Sequence, residues 1–404
     1  MTNGEIINNM KKDFFIILFI LIISIFPRLW QLTNYPPLIV DEPANMRDIN
    51  KLLSYNSFHP IDYEWGFGQA TLVQYPALIL VKLGFEELSA VRLTSVILSL
   101  ASLIPFYFIV KKRTDSLIAF CTTILFSFSY YFLQFSRVGW TNIHSLCLGL
   151  FLLWLVDMAT VKKSLVLILI SGLLAGILLY LYRSGEIYIL AALILLILEL
   201  RKIKNIKMRI KNVGVFIFAF IVISLPWINK IFINWDLYNL RSRVVSINNA
   251  TFPYHGLSNH KDIMIYQITA TFKAWILMLP VNGGGIEDPR YLPLNHGIVS
   301  PIIALLFFMG LILSIYKFRE NLIWLFIYFS GLIFGQILTV DPPNGSRGLI
   351  LLPIIYIFAS LGLFYIYKRF KKYPMSKSIL ILGTFIVSLS DFYFYTEWMH
   401  WIKV

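Results

Sequence analysis

Charge is scarce in this chain, and so is cysteine. Of 404 residues only 14% are Asp, Glu, Lys or Arg while 58% are hydrophobic, with a mean hydropathy of +0.73. An ordinary soluble domain, in which about a quarter of the residues are charged, is thereby excluded. The two cysteines, Cys121 and Cys147, both sit inside apolar runs, which excludes a disulfide framework and a cysteine zinc site. No small-residue cleavage site follows the first apolar run, Phe14 to Phe26; Pro27-Arg28-Leu29-Trp30 comes next, so the run reads as a retained helix and not a signal peptide. Acids are few as well, 21 against 35 bases. The bases cluster between apolar runs, so the net charge of +14 follows from the positive-inside rule for cytoplasmic loops and calls for no nucleic acid. What the chain does have is enough apolar sequence for about ten spans at roughly 20 residues each. The expected fold is an all-α polytopic membrane protein.

The basic clusters set the topology. They are Lys11-Lys12, Lys111 to Arg113, Lys162-Lys163, Arg201 to Lys211, Lys317 with Arg319, and Lys368 to Lys372. If all face the cytoplasm, an even number of spans separates each from the next. The run Ala70 to Phe85 is then supernumerary; short, with Pro76, Gln74 and Lys82, it is expected to lie on the outer surface. The remaining runs give about eleven transmembrane helices with the N-terminus cytoplasmic: 14–30, 88–110, 117–135, 142–159, 165–182, 187–198, 213–227, 299–316, 322–340, 349–367 and 378–394. Residues 1–404 then form one transmembrane domain whose outer loops, 31–87 and 229–298, fold together as a cap with surface helices. This topology puts Asp41, Glu42, Asp48, Asp62, Glu64, Asp236, Asp262, Glu287, Asp288 and Asp341 on one face, which marks that face as the working one. Asp41 and Glu42 lie just beyond the first span.

Several stretches, in order, resemble the glycosyltransferase C superfamily, in particular the family of protein O-mannosyltransferases and lipid A aminoarabinose transferases (glycosyltransferase family 39-like). They are Pro27 to Leu32 through Asp41-Glu42; Gln74-Tyr75-Pro76-Ala77-Leu78 followed by Gly84 to Ser95 with Arg92; Phe135-Ser136-Arg137; Asp288-Pro289-Arg290-Tyr291-Leu292-Pro293 through Gly310; and Arg347 with Pro353. The chain differs from the family pattern at Gln74, where the family has a lysine, and at Asn142, where a second carboxylate often stands. The resemblance implies transfer of a sugar from a polyprenyl-phosphate carrier to an acceptor on the outer face, by inversion, with the first-loop aspartate as base.

The chemistry asks for matching groups. The acceptor hydroxyl loses a proton as the new bond forms, and a nearby carboxylate is the suitable base. Asp41 is the candidate, with Glu42 orienting the acceptor or sharing charge; Asp41 or Glu42 can also cap a surface helix that starts near Pro43. The departing phosphate needs fixed cations, for which the guanidinium fork is well shaped. The outer-face candidates are Arg47, Arg137, Arg183, Arg290, Arg347 and Lys273. Asn142, Gln74, Tyr75 and Tyr291 are candidate acceptor or sugar contacts, and Trp65, Trp140, Tyr254, Trp275 and Tyr291 candidates for stacking on sugar. No metal is expected. The histidines (His59, His144, His255, His260, His296, His400) lack close ligand spacing, and no Asp-x-Asp pair occurs on the outer face. The run Asn282-Gly283-Gly284-Gly285 lacks a preceding strand and a P-loop Lys-Ser/Thr, so it reads as a loop and not as a nucleotide cradle.

The sequence and the resemblance together predict a multi-pass glycosyltransferase of the plasma membrane, or of the endoplasmic reticulum with the same face lumenal, its active site extracytoplasmic, needing no cofactor. Its partners would be a polyprenyl-phosphate-linked sugar donor, membrane lipids, and a lipid, protein or glycan acceptor, with the prenyl chain entering beside residues 70–85. The alternatives are a polytopic lipid-linked glycan transporter or flippase, which would place ionisable residues at the midplane and repeat its halves, or a glycan polymerase or ligase.

Overall fold

The computed structural model describes residues 3–39, 41–55, 57–62, 69–203, 205–247, 257, 259–280, 291–293, 295–340 and 342–401. Its first half holds helices α1 (Asn3–Leu29), α2 (Asp41–Leu53), α3 (Tyr75–Lys82), α4 (Glu87–Arg113), α5 (Ser116–Phe128), α6 (Tyr130–Arg137), α7 (Asn142–Lys162), α8 (Leu165–Leu178) and α9 (Glu186–Leu200). The second holds α10 (Ile206–Ile233), α11 (Trp235–Val245), α12 (His260–Thr271), α13 (Pro301–Tyr316), α14 (Phe318–Leu332), α15 (Gly345–Gly348), α16 (Leu352–Phe370) and α17 (Ser376–Trp401). Among the described residues there is no strand, only an isolated antiparallel bridge between Ser246 and Thr339. The protein is an all-α polytopic membrane protein, as the composition requires.

Every apolar run of the sequence is helical here. Among the described residues six helices are long and apolar enough to cross a bilayer, or seven if α5 and α6, which meet at 60°, make one broken span. The expected number of eleven is therefore not established by length and apolarity. Helices α8 and α13 are apolar but only 14 and 16 residues long, and α1 carries Lys11, Lys12, Asp13 and Arg28 within its length. Residues 71–82 make four residues of tight turn followed by eight of α-helix, too short at 1.5 Å per residue to span hydrocarbon of about 30 Å.

Helices in lipid associate by close packing, and glycine sets how close they come. Gly172 and Gly176 of α8 lie one turn apart against α10. A Cβ on Gly172 would stand 2.4 Å from the Phe216 carbonyl, and one on Gly176 would stand 2.8 Å from Ile223. The two helices therefore run side by side in the same direction, the chain returning through α9. The same device seats α13 on α16, where a Cβ at Gly310 would lie 1.6 Å from the Phe358 carbonyl.

Polar residues sort to the two ends of this bundle. At one end Lys111 and Lys112 of α4 pair with Asp13 of α1 and Asp157 of α7, and Arg113 lies 4.4 Å over the Trp324 ring of α14. At the other end the segments between α1 and α2, α6 and α7, α8 and α9, and α14 and α16 converge.

Candidate active site

Those converging segments enclose a cavity of about 780 Å³, within the usual range for ligand sites. Helix α2 brings the carboxylates. Its first turn holds Asp41 and Glu42, favourable near the positive end of the helix dipole, and its apolar side, Ile49 and Leu52, packs on Ala77, Leu78, Ala90 and Val91. Asp41, Ala44, Asn45 and Asp48, spaced three, four and seven residues apart, share the face that lines the cavity. Tyr291 donates a hydrogen bond of 2.9 Å from its hydroxyl to Asp41 Oδ2. The Tyr291 ring is held in turn against Trp140 and Phe135, with centroids 5.3 and 6.2 Å away.

Glu42, the neighbour of Asp41, points elsewhere. It is fully buried and does not line the cavity. Its carboxylate accepts from Arg92 Nε at 2.7 Å and Nη2 at 2.8 Å, from the Ile39 amide at 3.0 Å and from the Gly139 amide at 2.8 Å. These bonds hold the first turn of α2 and leave the carboxylate no reach to an acceptor. Gly139 is required for that approach, since a Cβ there would stand 2.5 Å from Val91 and 3.4 Å from Glu42. Arg92 also donates to the Leu32 and Pro36 carbonyls, at 2.7 and 2.9 Å.

Of the six cations expected at the phosphate, the structure brings Arg183 and Arg347 to the cavity. Arg183 donates to the Tyr238 carbonyl at 2.6 Å and to Ser242 Oγ, and stacks 3.7 Å over the Tyr238 ring, which ties the α8–α9 turn to α11. Arg347 donates to the Val340 carbonyl at 2.9 Å. Its loop is pinned by Gln336, which bonds the Asn344 amide and carbonyl at 2.8 and 3.0 Å. Arg137 is buried beneath the site and donates to the backbone carbonyls of Pro27, Trp30 and Tyr35, clamping the loop that leads to Asp41. Arg47 lies on the exposed side of α2. Six residues at 100° each leave it about 120° around the helix from Asp41, off the face that lines the cavity. Lys273 is exposed and does not line the cavity; Arg290 lies outside the described residues.

Among the expected acceptor contacts, only Tyr291 lines the cavity. Asn142 donates to the Ser346 carbonyl and Gln74 to Asn45 Oδ1 at 2.8 Å, so both brace residues of the cavity wall. Tyr75 accepts from the His59 amide at 2.7 Å. Of the aromatic candidates, Trp140 lines the cavity with Tyr291, its buried indole N–H without a partner among the described residues. Trp275 is buried behind Gly348, whereas Trp65 and Tyr254 lie outside the described residues.

Sequence reasoning missed Asn45, Gln69, Thr141, Glu186 and Ser346 as cavity residues, and named Asp48 only as an outer-face acid. The spacing of Asp41, Asn45 and Asp48 on a short amphipathic helix was the available signal. Glu186, one residue before the apolar run that begins at Ile187, accepts from the Tyr238 hydroxyl at 3.2 Å. Burial pushes its carboxyl above the ordinary value, against the pull of Arg183 and that hydroxyl. The opposite wall is apolar, with Ile187 and Leu190 from α9 and Phe326 and Phe334 from α14 and its last turn. Leu190 and Phe334 are both exposed, and none of residues 70–85 lines the cavity, so its apolar side is formed by α9 and α14. Among the described residues no group of three His, Cys, Asp or Glu side chains could hold a metal ion.

Residues 69–227 match the family described as dolichyl-phosphate-mannose-protein mannosyltransferase. A comparison with curated proteins by sequence finds no match. In fold, 96% of the chain superposes on 64% of ArnT from Cupriavidus metallidurans bound to undecaprenyl phosphate, with a TM-score of 0.58 and 14% identity. Similarly, 95% of it superposes on 52% of the Archaeoglobus fulgidus oligosaccharyltransferase in complex with Zn and sulfate, at 0.57 and 13%. The chain thus spans about half to two thirds of the structures it matches. The segment that matches the family, the fold of the whole chain and the order of motifs in the sequence agree: over residues 69–227 the chain is similar to the dolichyl-phosphate-mannose-protein mannosyltransferase family, and as a whole it shares the fold of these solved structures.

Proposed function

We propose that the chain is a membrane glycosyltransferase that moves a sugar from a polyprenyl-phosphate carrier to a hydroxyl acceptor, with Asp41 as general base. The observation that carries this reading is the composition of one cavity: the Asp41 carboxylate set by Tyr291, the guanidinium groups of Arg183 and Arg347, and an apolar wall from α9 and α14 with Leu190 and Phe334 exposed. A lipid-linked phosphate sugar has matching parts. The prenyl chain lies along the apolar wall, the phosphate meets the guanidinium groups, and the sugar faces α2.

In the reaction, the acceptor oxygen attacks the anomeric carbon on the side opposite the phosphate, and the proton passes from that oxygen to Asp41. The bond from the anomeric carbon to the phosphate oxygen breaks, and its electron pair leaves on polyprenyl phosphate. Two guanidinium groups stabilise that growing charge, and the step needs no resident metal. Trp140 and Tyr291 offer ring faces to the sugar. The cavity lies at the end of the bundle opposite the lysine-rich one, so by the positive-inside rule it faces away from the cytoplasm of a plasma membrane. The acceptor is a lipid, a protein or a glycan.

The test is transfer from a panel of radiolabelled polyprenyl-phosphate sugars in membranes carrying wild type or Arg347→Ala, each with and without chelator. The reading expects label to leave the polyprenyl pool for an acceptor in the wild type, with chelator having no effect and Arg347→Ala losing most of the rate. Lipid-linked sugar that crosses the bilayer without being transferred would sink it in favour of a transporter.

A further inference from the structure

A second cavity, of about 660 Å³, opens at the same end of the bundle, where the parallel helices α8 and α10 finish. Its floor is apolar, from Phe58, Leu72, Ile177, Ile223 and Pro226. Its rim is charged. Asp62 lies 3.9 Å from Lys230 Nζ and 3.6 Å from His59 Nδ1, and the Asp62 and Lys230 side chains are 29% and 33% exposed. Below the cavity, Phe218, Val222 and Leu225 form an exposed apolar stripe down α10, and Val222 is one turn from Pro226. Such a stripe in a membrane protein faces acyl chains.

We propose that this cavity binds the headgroup of an amine-bearing zwitterionic phospholipid, its acyl chains lying on the stripe of α10. A carboxylate and an ammonium held side by side present both charges at once. An ethanolamine headgroup answers both, its ammonium donating to Asp62 and its phosphate accepting from Lys230, with His59 beside them. A choline headgroup has no N–H to give Asp62. A glycerol headgroup is anionic and brings no cation to the carboxylate. The site neighbours the candidate active site along the same two segments of chain. Leu72 and Tyr180 line this cavity while Gln69 and Tyr182 line the first. Tyr180 ties the parts together, its hydroxyl donating to the Ile223 carbonyl at 2.6 Å and its carbonyl accepting from the Ala70 amide at 3.2 Å. A lipid seated here braces the back of the catalytic cavity.

The experiment is native mass spectrometry of the purified full chain, titrated with dioleoyl phosphatidylethanolamine, phosphatidylcholine and phosphatidylglycerol. The wild type is expected to bind the ethanolamine lipid about fivefold or more tightly than either of the others, the range of a partly exposed ionic contact. Asp62→Asn should erase the ethanolamine preference, and Lys230→Gln should weaken the ethanolamine and choline lipids by similar factors. The exchange Asp62→Lys with Lys230→Asp keeps both charges and should keep the preference, so the idea stays testable if a single variant fails to fold. Equal affinities in the wild type, tighter binding of phosphatidylglycerol, or an ethanolamine preference that survives Asp62→Asn would each overturn it.

Discussion

Replacing Glu42 by glutamine separates the two adjacent acids of the first loop. The Glu42–Arg92 pair is fully desolvated, with side chains 0% and 1% exposed, and the carboxylate accepts four hydrogen bonds. Glutamine keeps one acceptor oxygen and turns an NH2 toward donors, so about two charge-assisted bonds are lost, each worth roughly 1.5–3 kcal/mol. Removing one partner of a buried pair costs about 3–5 kcal/mol, which agrees with that sum. Asp41→Asn, by contrast, touches a half-buried group and should cost about 1 kcal/mol or less. The assay is unfolding free energy in mixed micelles, followed by tryptophan fluorescence, alongside transfer per folded molecule. Glu42→Gln should be strongly destabilised and should retain more transfer per folded molecule than Asp41→Asn. If Glu42→Gln were as stable as wild type yet lost transfer as completely as Asp41→Asn, Glu42 would act in the chemistry and the positioning argument would fail.

Tyr291→Phe removes the hydroxyl that orients Asp41 and should lower kcat about tenfold, the worth of one hydrogen bond, with little change in donor KM; steady-state kinetics check the split. Arg347→Lys keeps charge but not the planar fork, so donor KM should rise and the variant should not rescue Arg347→Ala. Gly310→Ala puts a methyl group 1.6 Å from the Phe358 carbonyl and should prevent folded expression, whereas Gly383→Ala, with nothing within 4 Å, should express and melt like wild type. Fluorescence-detected size exclusion separates the two.

The apolar helices of the bundle were legible in the sequence because they are runs of apolar residues, many of them bounded by lysine clusters, whereas the polar helices α2, α11 and α12 carry no such signal. The break between α5 and α6 was not, since Ser129 is small and polar but no proline or glycine marks the 60° bend. In the site, Asp41 stood out as an acid beyond a span. The arginines could not be sorted from sequence, because phosphate contact and clamping of backbone carbonyls use the same side chain. Arg137 and Arg92 do the latter, holding the loop of residues 27–37 from positions about 60 to 110 residues away. Likewise Glu42 reads as a twin of Asp41 until folding places Arg92 and the Gly139 amide against it.

The most direct test is the initial rate of sugar transfer from a polyprenyl-phosphate donor by purified wild type and Asp41→Asn in the same lipid nanodiscs, matched for folded protein. A general base contributes about 10²–10⁴-fold, so Asp41→Asn should fall at least 10²-fold with donor binding retained. A rate within threefold of wild type would contradict the assignment of Asp41 as the base.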